Sequence, residues 1–304
     1  MSYPAGGAES PYDLAGAVFA ALAAEFFTPD GEPTVFRLRF KRQTQDDPFD
    51  EYVGEILKRR LPDGIRVLLS GKPLVSPDLV IARPEEAQLL MQGGGDLDSR
   101  HIIAIEVKKL NWGAAGVGRS TGMDYNSTPP CSTVKVEADS GQLLRIAAFY
   151  LYVVLQLRDD GRVVAKSLAL VSGAALNEDT DLYDAITGIR QKRIGIGSYG
   201  DGIDRQRPML VFANPLGWPW LIGHATLVHP SQNLEAEQNI EMRRRMYRRT
   251  REGETREFFC YRITGEEASE PEPDVTEPFP TPANRRTDTT PRGRFKISLA
   301  VEPK

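Results

Sequence analysis

"HIIAIEVKKLNW", residues 101–112, begins as a buried strand and changes character within seven residues. Ile102, Ile103, Ala104 and Ile105 make an apolar run suited to the inside of a sheet, and Glu106, Lys108 and Lys109 follow at once. Desolvating charge is expensive, so this run predicts a strand that ends at a rim where a carboxylate and an ammonium are presented together. Side chains two apart on a strand share a face, which turns Glu106 and Lys108 the same way.

Working upstream, "LVSPDLVIA" (74–82) and "IRVLLS" (65–70) also read as strands, with "GKP" as a turn between them. Pairing 74–82 with 101–109 brings Asp78 to the same end of the sheet as Glu106 and Lys108. Two carboxylates converging on one point repel unless a cation sits between them. Hard oxygen ligands with room left for waters suit Mg²⁺. Such an ion binds a phosphate oxygen and acidifies its water, while the lysine serves that water and the developing charge. These are the parts needed for phosphodiester hydrolysis.

"PD" (77–78), 27 intervening residues, and "EVK" (106–108) together resemble the PD-(D/E)xK nuclease motif. The resemblance runs from about residue 48 to 172, taking in the helix before the hairpin and a helix–strand unit after it. It implies an α/β fold with a central mixed sheet flanked by helices, the restriction-endonuclease-like core. It also implies Asp78 and Glu106 as Mg²⁺ ligands and Lys108 as the residue serving the attacking water. A further acid in that superfamily often comes from the helix before the motif, here Glu55, with Glu51 behind it.

After the lysine, "GRSTGMDYNSTPPCSTVKV" (118–136) is similar to the recognition loops of type II restriction endonucleases. Arginine can bond both acceptors of guanine, aspartate accepts from cytosine N4, and asparagine reads adenine or a phosphate. Arg119, Asp124 and Asn126 are thus candidates for base contacts, and Ser127 and Thr128 for phosphate contacts. The plainer alternative is an Arg119–Asp124 ion pair with Asn126 organising a turn.

Elsewhere, residues 11–27 have helical spacing, and 34–42 alternate like a strand with one basic face. Residues 47–61 read as a helix with Asp47 as cap and Pro48 in the first turn. "DSGQLLRIAAFYLYVVLQLR" (139–158) reads as a helix running into a strand, 162–173 as a further strand, and 181–190 as a short helix. "RRRMYRRTR" (243–251) carries six arginines in nine residues and reads as a helix with a phosphate-binding surface. Residues 1–264 are expected to form one nuclease domain with recognition insertions. The arm 265–304 has seven prolines in forty residues, with an edge strand possible at 294–301.

Composition is ordinary for a globular protein: 40% hydrophobic and 26% charged residues, with a net charge of −4 that leaves DNA binding to localised basic patches. No apolar run approaches the roughly 18–20 residues of a membrane span, and the N-terminus lacks the pattern of a signal peptide. With two cysteines there is no disulfide framework, and a cytoplasmic setting is expected. "GIGSYG" (195–200) fits a dinucleotide fingerprint only in letters, since no buried strand precedes it, so no nucleotide cofactor is expected. The three histidines lack metal-ligand spacing. The expected partner is double-stranded DNA, met by a homodimer. The alternatives are a structure-specific or unspecific repair or phage nuclease and a non-catalytic DNA-binding protein.

Overall fold

The computed structural model describes residues 13–42, 47–70, 75–92, 100–112, 118–120, 132–138, 140–176, 225–232, 234, 239–249, 255–263, 275–276 and 293–294. In chain order these form α1 (Leu14–Phe26), β1 (Val35–Phe36), α2 (Pro48–Arg60), β2 (Arg66–Leu69), β3 (Val75–Ser76), β4 (Leu79–Ala82), α3 (Pro84–Gln92) and β5 (Ile102–Trp112). Then follow β6 (Gly118–Ser120), β7 (Thr133–Glu137), β8 (Leu143–Leu157), β9 (Val163–Ser172) and α4 (Gly173–Leu176). The last are β10 (Ala225–His229), β11 (Ile240–Arg249), β12 (Thr255–Ile263), β13 (Val275–Thr276) and β14 (Gly293–Arg294).

Most strands join one mixed sheet in the order β13-β11-β12-β10-β9-β8-β5-β4-β2, with helices against it, so the class is α/β. β5 runs parallel to β8 and antiparallel to β4. Both faces are covered, which is why β4 and the middle of β8 are apolar at every position. Odd-numbered Leu79, Ile81, Ile103 and Ile105 pack with Leu22 and Phe26 of α1 and with Phe49, Val53 and Ile56 of α2. Even-numbered Val80, Ala82, Ile102 and Ala104 pack with Tyr150, with Ala87 and Leu90 of α3, and with Leu176 of α4. Pleating divides one apolar run between two cores.

Helix α2 starts as its sequence predicts. The Asp47 carboxylate accepts from Phe49 N–H at 3.0 Å, and Pro48 occupies the first turn. Gly54 lets the helix come close to β2: a Cβ there would lie 2.8 Å from Leu69 Cδ2.

Four expectations need correction. No helix precedes the strand at 139–158, because β8 is extended from Leu143. Leu144, Ile146 and Ala148 alternate inward, and β7 supplies the neighbour that makes alternation the stable choice. Gly141, at φ 83°, closes the β7–β8 turn. The Arg-rich segment is the strand β11, paired with β12 through a bulge between Met242 and Arg244. It can be a strand because Met246 is buried against the sheet beside Phe258. The strand read at 34–42 shrinks to β1, and α3 arises where no helix was expected. The helix read at 181–190 lies outside the described residues, as does most of 294–301; Gly293–Arg294 pairs with Val75–Ser76.

Candidate active site

On one side β5 is paired with β8 from Ile103 to Asn111. On the other, β4 pairs with it only as far as Ile105, and β6 takes over at Leu110. The four residues between, Glu106, Val107, Lys108 and Lys109, face no strand on that side among the described residues. The sheet has a notch there, and the charged end of the opening stretch lines it.

The notch exists because β4 starts late. Pro77 has no N–H to give to a ladder, and the ladder begins at Leu79, opposite Ile105. Asp78, one residue earlier, stands opposite Glu106 by the same register. Its main-chain oxygen still accepts from Ser70 N–H toward β2, at 3.1 Å. Its side chain turns to β5 instead, where Oδ2 accepts the Val107 N–H at 2.7 Å. A carboxylate thus replaces the missing strand. Lys108 Nζ donates to Glu106 Oε1 at 2.7 Å, and the two side chains are only 13% and 6% exposed.

A fourth group enters from the first turn of α2. Asp50 stands close enough to Glu106, Lys108, Lys109 and Asp47 for their charges to act on it. Burial, then Asp47, raises its carboxyl to about 7; Glu106 adds to the rise, and Lys109 and Lys108 oppose it. Burial, followed by the charges of Glu106 and Asp50, holds Asp78 well above the ordinary aspartate value, against the pull of Lys108 and the Val107 hydrogen bond. By accessible surface both aspartates are half-buried, so a margin of the notch meets solvent while protein surrounds the rest. Tyr152, paired with Lys108 across the parallel ladder, is fully buried; burial and the charge of Glu106 raise its phenol. The notch therefore gathers acids whose charged forms burial and one another disfavour.

Of the residues singled out from sequence, Asp78, Glu106 and Lys108 come together here. Glu55 does not: it points to solvent, 59% exposed, and pairs with Lys58 at 3.0 Å. Glu51 pairs with Arg39. The helix acid at the notch is Asp50, which sequence reasoning missed. The available signal was its place in the capped first turn, whose position is fixed by the strand that the cap touches. Arg119 lies opposite Asn111 in the β5–β6 pair, three residues past Lys108. Asp124, Asn126, Ser127 and Thr128 lie outside the described residues. Gln142, expected on a helix, precedes β8 in the turn.

Among the described residues no group of three or more His, Cys, Asp or Glu side chains is placed to hold a metal ion, and no helix is long and apolar enough to cross a membrane. No family model matches the sequence, and comparisons with curated proteins and with solved structures find no match.

Proposed function

We propose that this chain is a Mg²⁺-dependent, sequence-specific double-stranded DNA endonuclease of the PD-(D/E)xK type, acting as a type II restriction enzyme. One observation carries the reading: at the notch beside β5, Asp78 is held by the Val107 N–H and Glu106 by Lys108, and burial and neighbouring carboxylates raise the carboxyls of both Asp78 and Asp50. A purely structural pair at a sheet rim needs one acid and one base. Adding Asp50 and Asp78 beside Glu106 raises the cost of folding unless a proton or a cation joins them.

Two carboxylates, with water and substrate oxygens to complete the shell, are a donor set that suits Mg²⁺. Asp78 and Glu106 offer hard oxygens, Asp50 lies within reach of the same charges, and water and a phosphate oxygen can complete the shell. Bound there, Mg²⁺ would supply positive charge to the phosphate and a more acidic water. The protein's own groups do the rest. Val107 N–H holds the Asp78 carboxylate in place, and Glu106 holds Lys108. The Lys108 ammonium is positioned to orient the attacking water and to offset the charge that builds on the phosphate oxygens. Buried Tyr150 and Tyr152 form the wall behind Glu106 and limit water on that side. The site supports this reading rather than the fold as a whole, since β7–β8 stands where the resemblance implied a helix.

The working form is proposed to be a homodimer on a palindromic or nearly palindromic G/C-containing site, because one such centre cuts one strand and a twofold dimer matches the duplex. Sedimentation with and without a specific duplex tests this. Incubating the pure protein with Mg²⁺ and a long DNA tests the activity. Discrete fragments are expected; a smear would identify an unspecific nuclease, and intact DNA would leave a binding protein.

A further inference from the structure

Lys108 and Lys109 are adjacent, yet pleating sends them to opposite faces of β5. Each meets its own carboxylate. Lys108 donates to Glu106, whereas Lys109 Nζ donates to both oxygens of Asp47, at 2.7 and 2.6 Å, with its side chain 16% exposed. Asp47 is also the cap of α2, and the oxygen that accepts from Phe49 N–H is one of the two that Lys109 holds. A single carboxylate therefore both caps the helix and ties it to the strand. One turn further on stands Asp50, close enough to the Asp47–Lys109 pair and the Glu106–Lys108 pair for all four charges to act on it.

We propose that Lys109 and Asp47 are positioning residues: their clamp holds the first turn of α2 against the rim of β5, so that Asp50 stands at the notch, and it keeps the Lys109 ammonium out of the carboxylate cluster. The proposal rests on the nuclease reading of that notch. A plain structural tie and this clamp differ in what they do to the charge beside the site. The pair is neutral, and removing either member changes the local charge by one, in opposite directions. A structural tie loses the same thing from either side.

The closing experiment measures Mg²⁺ binding by calorimetry and DNA cleavage on the full chain. Asp47→Asn keeps the helix cap, since asparagine caps as well as aspartate, but frees the Lys109 ammonium to compete with the cation. Lys109→Met leaves one more uncompensated carboxylate. Mg²⁺ should bind about 3–10-fold more weakly to Asp47→Asn and about 3–10-fold more tightly to Lys109→Met, as a unit charge acting through partly screened surroundings would produce. Both should lower kcat by about 10–100-fold, the usual cost of losing a group that orients others at a metal site, with KM for DNA little changed. Lys109→Arg should restore most of the rate, because a guanidinium can grip both oxygens of Asp47. Should Lys109→Met fail to fold, as thermal melting in chelator would reveal, Lys109→Gln keeps a donor without the charge and takes its place. Mg²⁺ affinities that move in the same direction, or unchanged kcat in both variants of an active enzyme, overturn the clamp. If the wild-type chain binds Mg²⁺ without cutting DNA, the nuclease reading fails while the opposed affinities still decide the clamp. If it does neither, both fail.

Discussion

Replacing Asp50 with Asn should make the protein more stable at neutral and alkaline pH, and by an amount that depends on pH. Asparagine has nearly the same shape and cannot ionise. In the folded protein the Asp50 carboxyl is raised from 3.8 to about 7. Between those values the native state keeps a proton that the unfolded chain has released. The stability linked to this group is complete below the unfolded value of 3.8, falls as pH rises toward 7, and is lost above it. At 1.36 kcal/mol per pH unit, the rise corresponds to a ceiling of about 4 kcal/mol. Because Asp50 is half-buried, solvent screens part of that, and about 2 kcal/mol is the expected gain. The assay is urea unfolding of both proteins in chelator at pH 4, 5.5, 7 and 8.5. The midpoints should coincide at pH 4 and separate progressively above it, with unchanged slopes. Mg²⁺ should narrow the gap at pH 8.5 by stabilising the wild type more than the variant. A difference that does not vary with pH, or an Asn variant less stable at pH 8.5, would refute the reasoning.

Glu106→Ala and Lys108→Ala should each abolish detectable cleavage while gel-shift affinity for a specific duplex in Ca²⁺ stays largely intact, because affinity comes from phosphate and base contacts; near-normal cutting by Lys108→Ala would remove the lysine from its role. Glu55→Ala should cut DNA at the wild-type rate and Asp50→Ala should not, so steady-state rates for the two variants decide which acid of α2 belongs to the site. Arg119→Ala should cost roughly 1–3 kcal/mol of binding on specific sites and far less on random DNA. Equal losses on both, with a reduced salt dependence, would make Arg119 a phosphate contact instead.

The strand at 101–109 and its charged end could be read from the sequence because they rest on local rules, whereas its continuation to Trp112 could not. An apolar run followed by Glu106, Lys108 and Lys109 has few places to go in a folded chain, and period two alone puts Glu106 and Lys108 on one face. The cap of α2 was legible for the same reason, since Asp47 and Pro48 act on their immediate neighbours. Residues 139–148 were not legible. Their apolar spacing suits a helix or a strand, and the choice fell to β7, a partner that exists only once the chain has folded back on itself. The Arg-rich segment is the same case, resolved by β12. Which acid of α2 meets the site was likewise beyond local reading. Glu51, Glu55 and Asp50 are all acids on one helix, and sequence contains no direction for that helix relative to β5. That direction comes from tertiary contacts: Phe49, Val53 and Ile56 buried on the sheet, and Lys109 gripping Asp47. They leave Glu55 in solvent and bring Asp50 to the notch. The notch itself depends on where two pairings stop, β4 at Ile105 and β6 at Leu110, and strand register is a property of the assembled sheet.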